Sequence, residues 1–191
     1  MTNIAIFASG SGTNAEAIMN HFSDSSCGRV ALLLSNRGDA YALKRAERFG
    51  VPTAVFSRDE FLDPAGRVAR LLREHRIDFI VLAGFLWLVP AFLTAGYAGR
   101  IVNIHPALLP KFGGKGMYGE HVHRAVIEAG EKESGITIHL VNERYDSVDT
   151  LFQATVPVAP DDTPESLAAK IHVLEHRHFP AVIERTIRSL R

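Results

Sequence analysis

Asn3-Ile4-Ala5-Ile6-Phe7-Ala8-Ser9-Gly10-Ser11-Gly12-Thr13-Asn14 opens the chain as a short apolar run that breaks into a glycine-rich turn, and an amphipathic segment follows to about His21. An unalternating apolar run of this kind predicts a strand buried on both faces, as in a parallel sheet. Glycines between such a strand and a helix let successive backbone N–H groups converge at the helix N-terminus, which is a cradle for an anion. A tight turn holding no ligand fits the same residues. So does a dinucleotide-binding variant, Gly10-x-Gly12-x-x-Ala15. That variant expects an acidic residue just after the second strand, and this chain has Ser35-Asn36-Arg37 there, with no acid before Asp39. A side chain at Gly12 is expected to obstruct the ligand.

The same grammar repeats downstream. Arg29–Leu34, Thr53–Phe56, Asp78–Ala83 and Ile101–Ile104 read as strands, and Tyr41–Phe49 and Pro64–His75 as helices, the latter with Val68, Leu71 and Leu72 on one face. After about residue 105 the pattern changes. A Gly/Pro-rich loop, His105–Gly119, leads to a helix ending near Gly130, and Gly135–Val141 and Leu151–Val158 alternate as strands about a polar turn, Asn142–Thr150. Thr163 reads as the N-cap of a last helix with Pro164 at its first position, and Pro180 is expected to kink it. The expected fold is one α/β domain over 1–191. It is an open doubly wound sheet, Rossmann-like in its N-terminal half and mostly parallel, with antiparallel strands near the C-terminal end.

Composition excludes several classes. Lys plus Arg and Asp plus Glu number 21 each, so no general pull toward nucleic acid or a membrane surface is expected. The single cysteine, Cys27, rules out an internal disulfide framework and a multi-cysteine metal site. No apolar stretch nears the 18 or so residues of a membrane span, and the first apolar run is too short for a signal segment. A cytoplasmic protein is expected. His121-x-His123 and His172-x-x-x-His176, with His178 nearby, have spacings a metal could use but lack a supporting motif, so no metal is expected. Gly113-Gly114-Lys115-Gly116 neither follows a strand nor supplies the phosphate-binding spacing.

Chemistry concentrates in Asn103-Ile104-His105-Pro106 at the carboxyl end of a buried strand, the edge where open α/β sheets bind ligands. Asn103 and His105 are one residue apart and so point the same way. An amide donor beside an imidazole suits stabilising an oxyanion and moving a proton. Two polar residues closing a strand is the alternative. Asp146, in the turn, matters only if the fold returns it toward His105, where a carboxylate would raise the imidazole pKa.

Gly10-Ser11-Gly12-Thr13-Asn14, Leu82-Ala83-Gly84-Phe85, Asn103 to Lys111, Gly135-Ile136-Thr137-Ile138-His139, Asp146 with Gln153-Ala154, and Glu175-His176 together resemble the phosphoribosylglycinamide formyltransferases among folate-dependent formyltransferases. The resemblance covers nearly the whole chain in one register. It implies formyl transfer from 10-formyltetrahydrofolate to the amino group of glycinamide ribonucleotide in purine synthesis, by a monomer or homodimer without metal. Asn103, His105 and Asp146 match the family's catalytic trio, and Asp146 would keep His105 charged. Gly12, Thr13 and Asn14 would hold the phosphate and Glu175 the ribose. Leu86, Trp87, Leu88 and Val89 would line the folate pocket largely through backbone groups, with Arg67 and Asn103 as further contacts. Two positions depart from the pattern: Val148 stands where the family usually has glycine, and Trp87 where some members have arginine. Val148 is expected to redirect its turn or to leave it mobile until folate binds. The alternatives are a catalytically impaired formyltransferase-like binding protein, a formyltransferase acting on an amino-sugar nucleotide, and an NADP-dependent oxidoreductase using Arg37.

Overall fold

A computed structural model describes residues 1–142 and 149–190. The strands are β1 (Thr2–Phe7), β2 (Gly28–Ser35), β3 (Thr53–Val55), β4 (Phe79–Leu82), β5 (Ile101–His105), β6 (Glu133–Leu140) and β7 (Asp149–Pro157). They form one sheet in the order β3-β2-β1-β4-β5-β6-β7. β1 to β5 pair in parallel, and β5–β6 and β6–β7 are antiparallel, which is the mixed sheet expected from the change of pattern near residue 105. The helices are α1 (Thr13–Phe22), α2 (Tyr41–Arg48), α3 (Arg58–Leu62), α4 (Arg67–Glu74), α5 (Ala91–Gly96), α6 (Glu120–Glu128) and α7 (Pro164–Ser189).

The apolar runs are unalternating because both faces of the sheet are covered. Ile4 and Ile6 pack into a core with Ile18 of α1 and Phe179 and Ile183 of α7. Ala5 and Phe7, their neighbours on the same strand, face the opposite core with Leu32, Leu34, Phe61, Val68 and Leu72. Successive strand residues point to opposite faces, so a strand between two helical layers needs an apolar residue at every position.

Several boundaries differ from expectation, each for a local reason. Pro64 does not start a helix: the Asp63 carboxylate accepts from Ala65 N at 2.8 Å and the Asp63 carbonyl from Gly66 N at 2.9 Å. That turn delays α4 to Arg67. α3 arises from a capping box, in which Ser57 Oγ accepts from Glu60 N while the Glu60 carboxylate accepts from Ser57 N. α5 begins after Pro90. β7 starts at Asp149, two residues before the expected Leu151, so Asp149 and Thr150 belong to the strand and not to the turn. Thr163 caps α7 with Pro164 in its first turn, as expected, Ser166 answers the cap, and α7 continues through Pro180 to Ser189. Asp146 and Val148 lie outside the described residues.

Candidate active site

The strand order reverses between β1 and β4, and their carboxyl ends, with that of β5, open on one edge of the sheet. Ser9, buried, ties the ends of β1, β2 and β4 together. Its N–H donates to the Gly84 carbonyl at 3.2 Å, its hydroxyl donates to Asn36 Oδ1 at 2.7 Å, and the same oxygen accepts from Leu86 N at 3.1 Å. Two loops that would face a ligand are thus fixed to each other from beneath.

On the β1 side, Gly12 is the N-cap of α1 with φ +75°, a conformation that glycine adopts without penalty. A Cβ here would lie 2.5 Å from Cα and Cβ of Ala42. A side chain at Gly12 would strike α2 whatever it does to a ligand, so this glycine sets the close packing of two helices. Thr13 and Asn14 form the first turn, whose N–H groups have no intrahelical carbonyl to donate to. Asn14 Nδ2 donates to Glu175 Oε2 at 2.9 Å, so α1 and α7 bring together two residues 161 positions apart. Burial pushes the Glu175 carboxyl pKa up, and the Asn14 bond opposes that. Asn14 Oδ1 is buried without a hydrogen-bond partner among the described residues. An orphaned acceptor beside a buried carboxylate is what a pair of ligand hydroxyls would satisfy. Arg45 reinforces the loop by donating to the Ser11 carbonyl at 2.8 Å and pairing with Glu16. Arg37, the cation of the dinucleotide alternative, is held instead by Asp39 through two bonds of 3.0 and 2.8 Å.

At the mouth of β5, Asn103 and His105 are both half-buried. His105 Nε2 lies 2.8 Å from the Phe112 carbonyl oxygen, so Nε2 carries the proton. Burial lowers the His105 pKa; the Phe112 bond works against that, and nearby His139 adds to it. The described surroundings therefore favour a neutral ring, where the resemblance implied a charged one, and the carboxylate expected to charge it belongs to Asp146. Asn103 Nδ2 lies 3.1 Å from His139 Nε2. Thr137, fully buried, donates to the Ala107 carbonyl at 2.7 Å and accepts from Leu109 N at 3.0 Å and Gln153 Nε2 at 2.9 Å. That clamp fixes the chain leaving His105.

The loop after β4 divides its residues. Phe85, Trp87 and Val89 turn inward against the second core, while Leu86 and Leu88 are 48% and 72% exposed. Trp87 packs on Phe56 and Phe61 with ring centroids 5.9 and 6.0 Å away, and Arg58 lies 5.7 Å over its ring. The side chains of 86–89 thus alternate between the core and the surface, and of the backbone groups expected to line the folate pocket the Leu86 N–H is already taken by Ser9. Arg67 donates to the Val55 carbonyl at 2.8 Å, at the end of β3.

The histidines with metal-like spacing do not converge. Among the described residues no group of three or more His, Cys, Asp or Glu is placed to hold a metal. His178 packs on Phe152, and His172 and His176 stack on each other. His123 is buried with Nδ1 unpartnered among the described residues, and burial lowers its pKa to about 4. No described helix is long and apolar enough to cross a membrane.

Sequence reasoning gave no role to Ser9, His139 or Thr137. The last two had a legible signal: on an apolar strand they are polar residues at alternate positions, mirroring Asn103 and His105, to which they are paired.

Comparison with known proteins places these features. Residues 2–183 match the family described as formyl transferase. The chain is 43% identical over 186 residues to a chloroplastic phosphoribosylglycinamide formyltransferase of Arabidopsis thaliana, covering 94% of this chain but only 63% of that relative. It is 38% identical to the phosphoribosylglycinamide formyltransferase of Haemophilus influenzae, covering 96% of this chain and 86% of the relative. The crystal structure of glycinamide ribonucleotide transformylase 1 from Geobacillus kaustophilus superposes with a TM-score of 0.88 at 38% identity, covering 98% and 99% of the two chains. A family match over residues 2–183, with relatives and solved structures alike along nearly the full length of the chain, settles the membership: the chain belongs to the formyl transferase family.

Proposed function

We propose that this protein transfers the formyl group of 10-formyltetrahydrofolate to the amino group of glycinamide ribonucleotide, a step of purine biosynthesis. The observation that carries the reading is the placement of an amide–imidazole pair, Asn103 and His105, on the same sheet edge as the α1 N-terminus with its Asn14–Glu175 bond. One end suits a phosphorylated ribose and the other suits acyl transfer, and relatives named for this reaction share the fold.

In the proposed mechanism the first-turn N–H groups of α1 and the Gly12–Thr13–Asn14 loop hold the substrate phosphate. Glu175 and the orphaned Asn14 Oδ1 accept from the ribose hydroxyls. The substrate amine attacks the formyl carbon, forming a C–N bond and placing negative charge on the formyl oxygen. Asn103 Nδ2 donates to that oxygen, an interaction that strengthens as charge develops. His105, with Nε2–H held by Phe112, takes the amine proton at Nδ1. The neutral ring favoured by burial is the form that can do so. The same proton is returned to the folate nitrogen as its bond to the formyl carbon breaks. Asp146 serves to orient His105 and to stabilise the transient imidazolium. The exposed rim of 86–89 and Arg67 contact the folate, with Trp87 buttressing the rim from inside.

Formyl transfer from 10-formyltetrahydrofolate to glycinamide ribonucleotide, followed by absorbance of the folate product, tests this directly. Turnover with this pair and none with an amino-sugar nucleotide supports the reading. The reverse preference, binding of NADPH, or folded protein that binds both substrates without turnover contradicts it.

A further inference from the structure

His139 is a half-buried titratable side chain that the mechanism above leaves without a role. It stands on β6 directly opposite Asn103 on β5, with its Nε2 3.1 Å from Asn103 Nδ2. Its other ring nitrogen, Nδ1, lies 3.0 Å from the Leu140 carbonyl oxygen. A carbonyl oxygen can only accept, so Nδ1 carries the proton, and Nε2 of the neutral ring can only accept. An accepting Nε2 requires a donor from Asn103, and only the amide nitrogen donates. The two ends of the Asn103 amide are therefore distinguished by its neighbour. One N–H goes to His139 and the second is left for a ligand.

We infer that His139 is a positioning residue, whose neutral Nε2 fixes the amide orientation of Asn103 so that an N–H, and not the amide oxygen, meets the formyl oxygen. The inference rests on the reading of Asn103 as oxyanion donor given above. Burial lowers the His139 pKa, against the opposing influence of the Leu140 bond and of Asp149, which favours the accepting form. The need for such a device is physical. The terminal torsion of asparagine is broad and roughly two-fold, so without an acceptor the amide can turn its oxygen toward the developing negative charge. That arrangement is repulsive only as the charge develops, so the loss falls on kcat rather than on substrate binding.

The test is a double-mutant cycle read in kcat and KM, using His139→Leu, His139→Gln, Asn103→Ala and the Asn103→Ala/His139→Leu pair. Misplacing a reacting group can cost about 10²-fold, so His139→Leu is expected to lower kcat by roughly 10- to 100-fold with KM for both substrates nearly unchanged. His139→Gln, whose carbonyl can accept from Asn103, should recover most of the loss, and the double variant should be no slower than Asn103→Ala alone. If His139→Leu does not fold, His139→Phe, closer in shape, carries the same comparison. Additive losses in the double variant, or equal losses for Gln and Leu, would overturn the positioning role. A slowed Asn103→Ala beside an unimpaired His139→Leu would sink the inference alone, whereas an unchanged kcat in Asn103→Ala would sink the oxyanion reading on which it stands.

Discussion

At the scale of single residues, backbone carbonyls decide which nitrogen of each histidine at the candidate site holds the proton. The Phe112 carbonyl fixes the His105 proton on Nε2, and the Leu140 carbonyl fixes the His139 proton on Nδ1. As the proposed proton carrier, His105 is expected to be costly to lose. His105→Ala should lower turnover by about 10²–10⁴-fold with a circular-dichroism spectrum like wild type, and a folded variant with near-normal kcat would place the chemistry elsewhere. His105 and Asn103 were legible because two polar side chains interrupt an apolar strand at a spacing that aims both the same way. His139 was quoted for its resemblance and given no role. Its polar alternation with Thr137 was visible on an apolar strand, but its position opposite Asn103 depends on antiparallel pairing across 36 residues, which that local pattern does not give.

At the scale of elements, close approach of backbones does much of the positioning. Gly12 lets α1 meet α2. An alanine there would carry a left-handed backbone cost of about 1–2 kcal/mol in addition to the collision with Ala42. Gly12→Ala should therefore lower stability in urea unfolding even in the absence of ligand, and Ala42→Gly should restore only part of it because the Ala42 backbone is equally close. A variant as stable as wild type but weaker for substrate would return Gly12 to a purely ligand-facing role. The turn clamp gives a second expectation. Thr137→Val removes a buried hydroxyl bonded to Ala107, Leu109 and Gln153. Stranding those partners should cost about 1–3 kcal/mol and lower kcat through the displaced 107–112 segment; unchanged stability and rate would mean that Gln153 suffices alone. The sheet was legible from its long apolar runs. α3 and α5 were not, since five and six residues are too few to show a helical period, and Pro64 read as a helix start because the Asp63 side-chain turn that precedes α4 has no apolar signature.

At the scale of the whole molecule, two helical layers cover the sheet, and burial lowers the pKa of several histidines. His123 is the clearest, lowered by burial to about 4 from an ordinary 6.5. A folded pKa below the unfolded one means the unfolded chain binds more protons between them, so this contribution is complete above about 6.5 and is lost as pH falls toward about 4. The melting temperature of wild type should fall more steeply over that window than that of His123→Leu, and parallel curves would show that His123 does not set the acid limb. The central claim is that the β5 mouth stabilises charge on a formyl oxygen. Single-turnover formyl transfer to glycinamide ribonucleotide, measured for wild type and Asn103→Ala at saturating substrates, tests it most directly. Product formation in wild type with a loss of about 10²–10³ in the variant is the predicted result, and equal single-turnover rates in two folded proteins would contradict it.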